Sequence, residues 1–367
     1  MESFEKKIFQ KLSKMKFGIL KTSVGHILIN ILLCNPQKEK IILFYADSKS
    51  VNKTLISILQ KTYRGKIIFV QSKILSSIVY RMHKSKKKYF NWFKKYYINT
   101  YESHISPDKS SIYGSKYKVW DKSIRLPEYV IPEKIDLKFN RWLKISGIGE
   151  NYICVYTRDP GFYPADLDGS NRNSKFENLF PAIEFLISQG FSIVRIGREA
   201  SAVHHTFDPK KYFDINSMVN CPEYVDVMLF KYAKLVIGSN SGIMNISLLF
   251  DTPVLACNWH PLGIQPFFPQ CRYILKKYLK NGRSIDYIEV PQEILLCESR
   301  SLMLEKGYDV IENSKDEILD FISRNVPFRE LSTEHNHKYE FIVYGGNAVL
   351  DQEWEMILRS TTAGDVN

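Results

Sequence analysis

Two serines flanking an asparagine, Ser239-Asn240-Ser241, stand between Gly238 and Gly242 in the run 232–261, YAKLVIGSNSGIMNISLLFDTPVLACNWHP. The pattern predicts a strand over 235–237, a tight turn, a helix over 244–250, a second turn and a strand over 253–257. Glycines relieve crowding at such a turn. Hydroxyl and amide groups at a helix start, with unpaired backbone N–H groups behind them, favour an anion, and a diphosphate suits that chemistry. The plainer alternative is a serine-capped helix with no ligand.

A second set of residues points to the same chemistry. The segment 156–175, YTRDPGFYPADLDGSNRNSK, begins as a strand that ends at Arg158-Asp159. A polar loop then delivers Arg172, Asn173 and Lys175 just before a helix, and Arg198 follows the next strand in the sequence RIGR. A guanidinium fork binds phosphate oxygens in pairs, so arginines at strand ends suit a diphosphate. Surface ion pairs are the competing use of each. Asn258 and Trp259 follow an apolar strand at its C-terminal end, where open α/β sheets bind ligands. Their two open uses are a nucleoside contact and packing of a domain interface. His204-His205 has no cysteine or carboxylate at metal-ligand spacing, so loop or surface residues are expected there.

These groups need a scaffold. Strands are expected over 16–21, 40–45 and 66–70, with helices from 27 and over 51–59, a spacing that suggests parallel strand–helix–strand units. The alternation restarts after a Ser-, Pro- and Lys-rich stretch, 103–140, that reads as the way out of a first domain. Strands follow over 152–157 and 191–196, with helices over 176–189, stopped by Gly190, and over 224–232. A later strand over 285–290 and a helix over 314–324 complete the second half. The expected fold class is α/β, with two Rossmann-like domains facing each other across a cleft: residues 1–145, residues 146–335, and a tail, 336–367, with a helix over 351–358 returning toward the first domain.

Composition limits the rest. The 367 residues are 44% hydrophobic and 25% charged, a globular balance large enough for two domains. The charged stretch 1–16 has no apolar core or small-residue cleavage site, so no signal peptide is expected. The apolar run 27–34 falls far short of the ~20 residues of a membrane span. Six scattered cysteines without a CxxC pair suit reduced thiols and a cytoplasmic setting. The net charge of +12 is uneven: residues 1–150 hold 30 Lys+Arg and 11 Asp+Glu, a balance of +19, and the remainder holds 21 and 28, a balance of −7. Such a basic half suits lipid head groups, a phosphorylated glycan or nucleic acid, or is a solvated lysine-rich surface. Within it, residues 80–97 set Tyr89, Trp92, Phe93 and Tyr96 on one helical face among lysines, as an interfacial helix would. Attachment to the inner face of the plasma membrane is therefore left open.

The run 238–256, GSNSGIMNISLLFDTPVLA, resembles the GxDSGPMHLAAALGTPVVA stretch of bacterial heptosyltransferases and related glycosyltransferase-B enzymes. The run 21–33, KTSVGHILINILL, is similar to their first strand and turn. The segment 156–175, Gly25-His26, the RIGR run and Asn258-Trp259-His260-Pro261 together resemble a group of glycosyltransferases linked to bacterial surface polysaccharide genes. The resemblance implies a glycosyltransferase-B fold and transfer of a sugar from a nucleotide-sugar donor to a surface glycan or its lipid-linked precursor. It places the donor diphosphate against Gly238, Ser239, Asn240, Ser241 and Gly242, with the basic loop residues neutralising it. It also puts His26 where the family has an aspartate general base, and an imidazole with a pKa near ~6.5 can accept a hydroxyl proton. Asn240 and Asn245 stand where the family has an acidic residue and a histidine.

Such enzymes use basic side chains and a helix dipole in place of a metal, so neither a metal nor a cofactor is expected. Asp166-Leu167-Asp168 spells the metal motif of the other main glycosyltransferase fold, but it lies in a Pro/Gly-rich loop and does not end an apolar strand. The alternatives are a nucleotide-sugar epimerase of the same fold, a non-catalytic sugar-nucleotide sensor and a nucleic-acid-binding protein. The last is disfavoured because no nucleic-acid module is recognisable.

Overall fold

The computed structural model describes residues 15–19, 28, 40–45, 51–84, 97–98, 128–160, 170–198, 200–218, 221–261, 270–286, 289–291, 294, 297, 299–327 and 349–350. Two compact units emerge. Described residues up to Lys138 fall in the first and those from Phe139 onward in the second.

The first unit is built on a parallel four-stranded sheet. Its strands are β1 (Met15–Ile19), β2 (Lys40–Tyr45), β3 (Ile67–Gln71) and β4 (Tyr97–Ile98), in the order β3-β2-β1-β4. Helix α1 (Lys53–Thr62) is the crossover between β2 and β3. It starts where the Asn52 side chain accepts a bond from Leu55 N at 2.9 Å, satisfying a donor that the first turn leaves unpaired. Its Leu55, Ile58 and Leu59 are buried, as are Ile41 and Leu43 of β2 and Ile67 of β3. Helix α2 (Lys73–Lys84) follows β3 and leaves Ile74, Leu75, Ile78 and Tyr80 exposed.

The second unit holds a seven-stranded, wholly parallel sheet. Its strands are β5 (Tyr152–Tyr156), β6 (Ser192–Arg195), β7 (Tyr212–Asp214), β8 (Leu235–Gly238), β9 (Val254–Trp259), β10 (Cys271–Leu275) and β14 (Val349–Leu350). The order is β14-β10-β9-β8-β5-β6-β7. Reading out from β5, the chain builds β6 and β7 on one side, then returns to build β8, β9 and β10 on the other. That is the doubly wound Rossmann order, and its reversal point lies between β5 and β8. Strands β5, β6, β8 and β9 are buried almost throughout, as a sheet covered on both faces requires. Helix α3 (Glu133–Ser146) leads into the unit, α4 (Phe180–Ser188) joins β5 to β6, α5 (Glu223–Tyr232) precedes β8, and α6 (Ser247–Phe250) precedes β9. A small antiparallel sheet, in the order β12-β11-β13, follows β10: β11 (Lys277–Lys280), β12 (Arg283–Ile285) and β13 (Tyr308–Ile311). Helix α7 (Arg300–Glu305) precedes β13, and α8 (Lys315–Asn325) packs on α4. The start of α8 is a capping box, with Ser314 and Glu317 each bonding the other's backbone N–H.

Several expectations change. The stretch 103–140 contains the start of α3 directly after Pro132, because proline stops what precedes it but is well tolerated at a helix start. The strand expected over 285–290 ends at Ile285 as β12, and Glu289 and Val290 lie in a turn. The helix expected over 244–250 is a 3₁₀ turn, Gly242–Ile246, followed by the four-residue α6. Residues 85–96, including Tyr89, Trp92, Phe93 and Tyr96, and the helix expected over 351–358 lie outside the described residues. Among the described residues, no helix is long and apolar enough to cross a membrane.

Candidate anion site at the sheet's reversal point

In an open parallel sheet, ligands bind beyond the carboxyl ends of the strands, at the point where strand order reverses. Here that point is the pair β5 and β8, whose C-terminal continuations are Thr157-Arg158-Asp159 and Ser239-Asn240-Ser241. The residues singled out from two distant stretches of sequence therefore meet. Ser239 Oγ accepts the Arg158 backbone N–H at 2.8 Å, and Ser241 Oγ donates to the Tyr156 hydroxyl at 3.0 Å.

These bonds revise the part played by the serines. Ser241 occupies the cap position of the 3₁₀ turn but makes no capping bond. Both hydroxyls are committed across the gap to β5, so neither a simple serine cap nor a long helix dipole describes this turn. The approach is close because of two glycines. A Cβ at Gly238 would lie 2.6 Å from Tyr156 O and 3.0 Å from Met244 Sδ. One at Gly197, whose φ is +99°, would lie 2.6 Å from the Tyr156 ring.

Positive charge gathers on the same edge. Arg158 is 4% exposed, and its guanidinium donates to Asn173 Oδ1 at 2.6 Å. The loop carrying Asn173 is tied back by Ser174 N to Arg158 O at 3.0 Å. Asn240 donates to His260 O at 2.6 Å. The buried His260 ring bonds the Tyr278 hydroxyl through Nδ1 at 2.9 Å. Burial, helped by the positive fields of Lys276 and Arg172, pushes its pKa down to about 3, so the imidazole is neutral at physiological pH. The charges of Arg172 and Lys276 therefore reach the ring.

Lys276 had no prominence in the sequence. It follows β10 immediately, is 3% exposed, and its ammonium donates to Asn173 O at 2.6 Å. Asn173 thus joins two cations, Arg158 through its side chain and Lys276 through its carbonyl.

The other candidates are placed differently. Lys175 is exposed, and its backbone N–H donates to Glu312 at 2.9 Å. Arg198 pairs with Asp226 at 2.7 Å and donates to the carbonyls of Cys221 and Pro222 at the start of α5. Asn258 is buried with φ +54°, a left-handed conformation that asparagine tolerates better than most residues. It exchanges paired backbone–side-chain bonds with Asn313, at 2.6 and 2.5 Å. Trp259 is 2% exposed and lies against Tyr273. His205 pairs with Glu184 and packs between Phe180 and Phe207. His26 and the Asp166/Asp168 pair lie outside the described residues. Among the described residues, no group of three or more His, Cys, Asp or Glu side chains is arranged to hold a metal.

The second unit is thus a Rossmann-type domain with a cationic, hydrogen-bonding edge at its reversal point. The chain is distantly similar in structure to heptosyltransferases. It aligns with the ADP-heptose LPS heptosyltransferase II of E. coli at 13% identity and a TM-score of 0.46, over 80% of this chain and 99% of that one. With the E. coli heptosyltransferase WaaC, whose structure holds ADP, identity is 11% and the TM-score 0.41, over 85% and 98%. With the UDP-GlcNAc 2-epimerase of Methanocaldococcus jannaschii the values are 11% and 0.32, over 95% and 99%. No protein-family model and no curated protein matches the sequence.

Proposed function

We propose that this chain is a glycosyltransferase that moves a sugar from a nucleotide-sugar donor to a surface glycan or its lipid-linked precursor. The observation that carries it is the joining of Arg158, Asn173, Ser239 and Ser241 at the reversal point of a Rossmann-order sheet, with Arg172 and Lys276 beside them. A nucleotide diphosphate is the ligand such an edge suits: doubly anionic in a sugar nucleotide, with phosphate oxygens matched to guanidinium and hydroxyl donors. Sugar transfer needs that diphosphate stabilised as it leaves, and fixed cations in a dry setting do so without a metal. In this proposal Gly238 and Gly242 keep the turn close to the ligand. Asn258 holds the end of β9 through Asn313, with Trp259 behind it. Lys175 and Arg198 form the outer charge of the site, and no metal or cofactor takes part.

The resemblance around residues 21–33 assigns proton removal from the acceptor hydroxyl to His26. His26→Ala then lowers kcat about 100- to 10,000-fold, the usual range for a general base, and leaves donor affinity nearly unchanged. Near-native turnover in that variant assigns the base elsewhere. The basic balance of residues 1–150 and the exposed Ile74, Leu75 and Ile78 support an anionic, lipid-linked acceptor held at a membrane surface in the cytoplasm.

The first test is a thermal-shift panel of nucleoside diphosphates. A ligand at ~100 times its Kd stabilises the folded chain by about 2.7 kcal/mol, a clear rise in Tm. One base should stand out from the rest. Equal indifference to every nucleotide contradicts the proposal.

A further inference from the structure

Lys276 is the residue of this edge that the local sequence does not explain. Burying an ammonium costs several kcal/mol unless it is paired. Its bond to Asn173 O uses one of three donors. Among the described residues no carboxylate pairs with it directly. Glu312 and Asp309 favour its charge from a distance, while Arg300 and Arg158 oppose it. The acid with the larger effect is also spent elsewhere: Glu312 accepts from Lys175 N at 2.9 Å and from the Asn178 side chain at 3.1 Å. The Lys276 charge also acts on His260, which is neutral. A buried cation facing other cations is unfavourable in an empty site and favourable in one that holds an anion.

We infer that Lys276 is a positioning residue of the anion site: its ammonium fixes Asn173, and through it Arg158, and its charge is neutralised by the diphosphate bound at the ends of β5 and β8. The inference rests on the nucleotide-diphosphate reading of that edge and adds to it a residue and a pH dependence. Burial, with the nearby arginines, pushes the Lys276 pKa down to about 8, well below the ordinary lysine value. Two opposite signs follow. In the empty protein the unfolded chain holds this proton more tightly than the folded one. The contribution of Lys276 to stability therefore rises with pH through the window from about 8 to the ordinary value near ~10.4. Anion affinity runs the other way and is lost through the same window. The ligand loses its last phosphate protons over this range and becomes more anionic, so its own ionisation opposes that loss and does not cause it.

The test uses inorganic pyrophosphate and the best nucleoside diphosphate, titrated into the full chain by calorimetry at pH 7 and pH 9. Wild-type affinity for the nucleoside diphosphate should fall about tenfold between the two, as the ammonium fraction does, and affinity for pyrophosphate, which gains charge over that range, should fall by less. Lys276→Met should bind more weakly at pH 7 and show no such fall. Lys276→Arg, charged throughout, should also be flat. As a readout of the empty protein, the Tm of Lys276→Met should exceed that of wild type at pH 7 by more than at pH 9.

Wild-type affinity unchanged between pH 7 and 9 overturns the inference, as does a folded Lys276→Met that keeps the wild-type slope. If the variants do not fold, the wild-type slope alone decides. Binding of pyrophosphate with the expected slope, but of no nucleotide, leaves Lys276 in its role and removes the nucleotide reading. Binding of neither removes both.

Discussion

At the scale of single residues, the site depends on groups that hold one another before any ligand arrives. Ser239 and Ser241 add side-chain bonds across the C-terminal ends of β5 and β8, beyond the backbone ladder that pairs the strands, so replacing either disturbs the edge itself. Ser241→Asp adds an anion where the diphosphate is expected and removes the donor to Tyr156. Nucleotide affinity should fall at least 100-fold with the fold intact by circular dichroism; unchanged affinity would show that the turn is not a ligand contact. Gly238→Ala is a geometric test. A methyl 2.6 Å from Tyr156 O forces the strands apart, and a loss of about 1–3 kcal/mol in denaturant unfolding is expected. Arg158 and the serines were legible from residue type and spacing, because strand–turn–polar patterns mark the ends of parallel strands. Lys276 was not. It sits in a Lys-Lys pair between short strands, where one lysine is buried and the other is not, and no local pattern distinguishes them.

At the scale of elements, legibility followed burial. Strands β1, β2, β3, β5, β6, β8 and β9 are apolar runs in the sequence and stand out, β2 at its expected bounds, whereas the short or polar-bearing β4, β7, β10 and β14 of the same sheets were not anticipated. Of the antiparallel strands, β11 escaped although it turns into β12 through Asn281-Gly282, a hairpin signal, because lysines interrupt its alternation, and β13 escaped because it joins β11 from beyond α7. The start of α6 escaped for another reason. Tertiary bonds from Ser239 and Ser241 hold the preceding turn, and that segment opens as a 3₁₀ turn. Helix α3 was hidden within a proline-bearing stretch, yet it anchors the second unit. Phe139 is fully buried and stacks on Trp142 at 5.8 Å and on Tyr232 of α5 at 5.5 Å. Phe139→Ala should cost about 3–5 kcal/mol in denaturant unfolding. A loss under 1 kcal/mol would mean that the α3–α5 contact contributes little to holding the unit together.

At the scale of the whole molecule, charge divides the chain as contacts do. The basic excess lies in the first 150 residues, while the donor site is assigned to the second unit, whose sequence is net acidic. On the proposed function this separates a surface for an anionic, lipid-linked acceptor from a site for a soluble donor. Co-sedimentation with anionic but not neutral vesicles, lost at high salt, is the expected behaviour, and equal indifference to both removes the membrane from the account. The central claim is narrower, and it is where the diphosphate sits. A crystal structure of the chain with the nucleoside diphosphate that stabilises it most would test it directly. The account predicts phosphate oxygens at the ends of β5 and β8, within hydrogen-bonding distance of Arg158 and Ser241. A nucleotide bound anywhere else in the chain would contradict it.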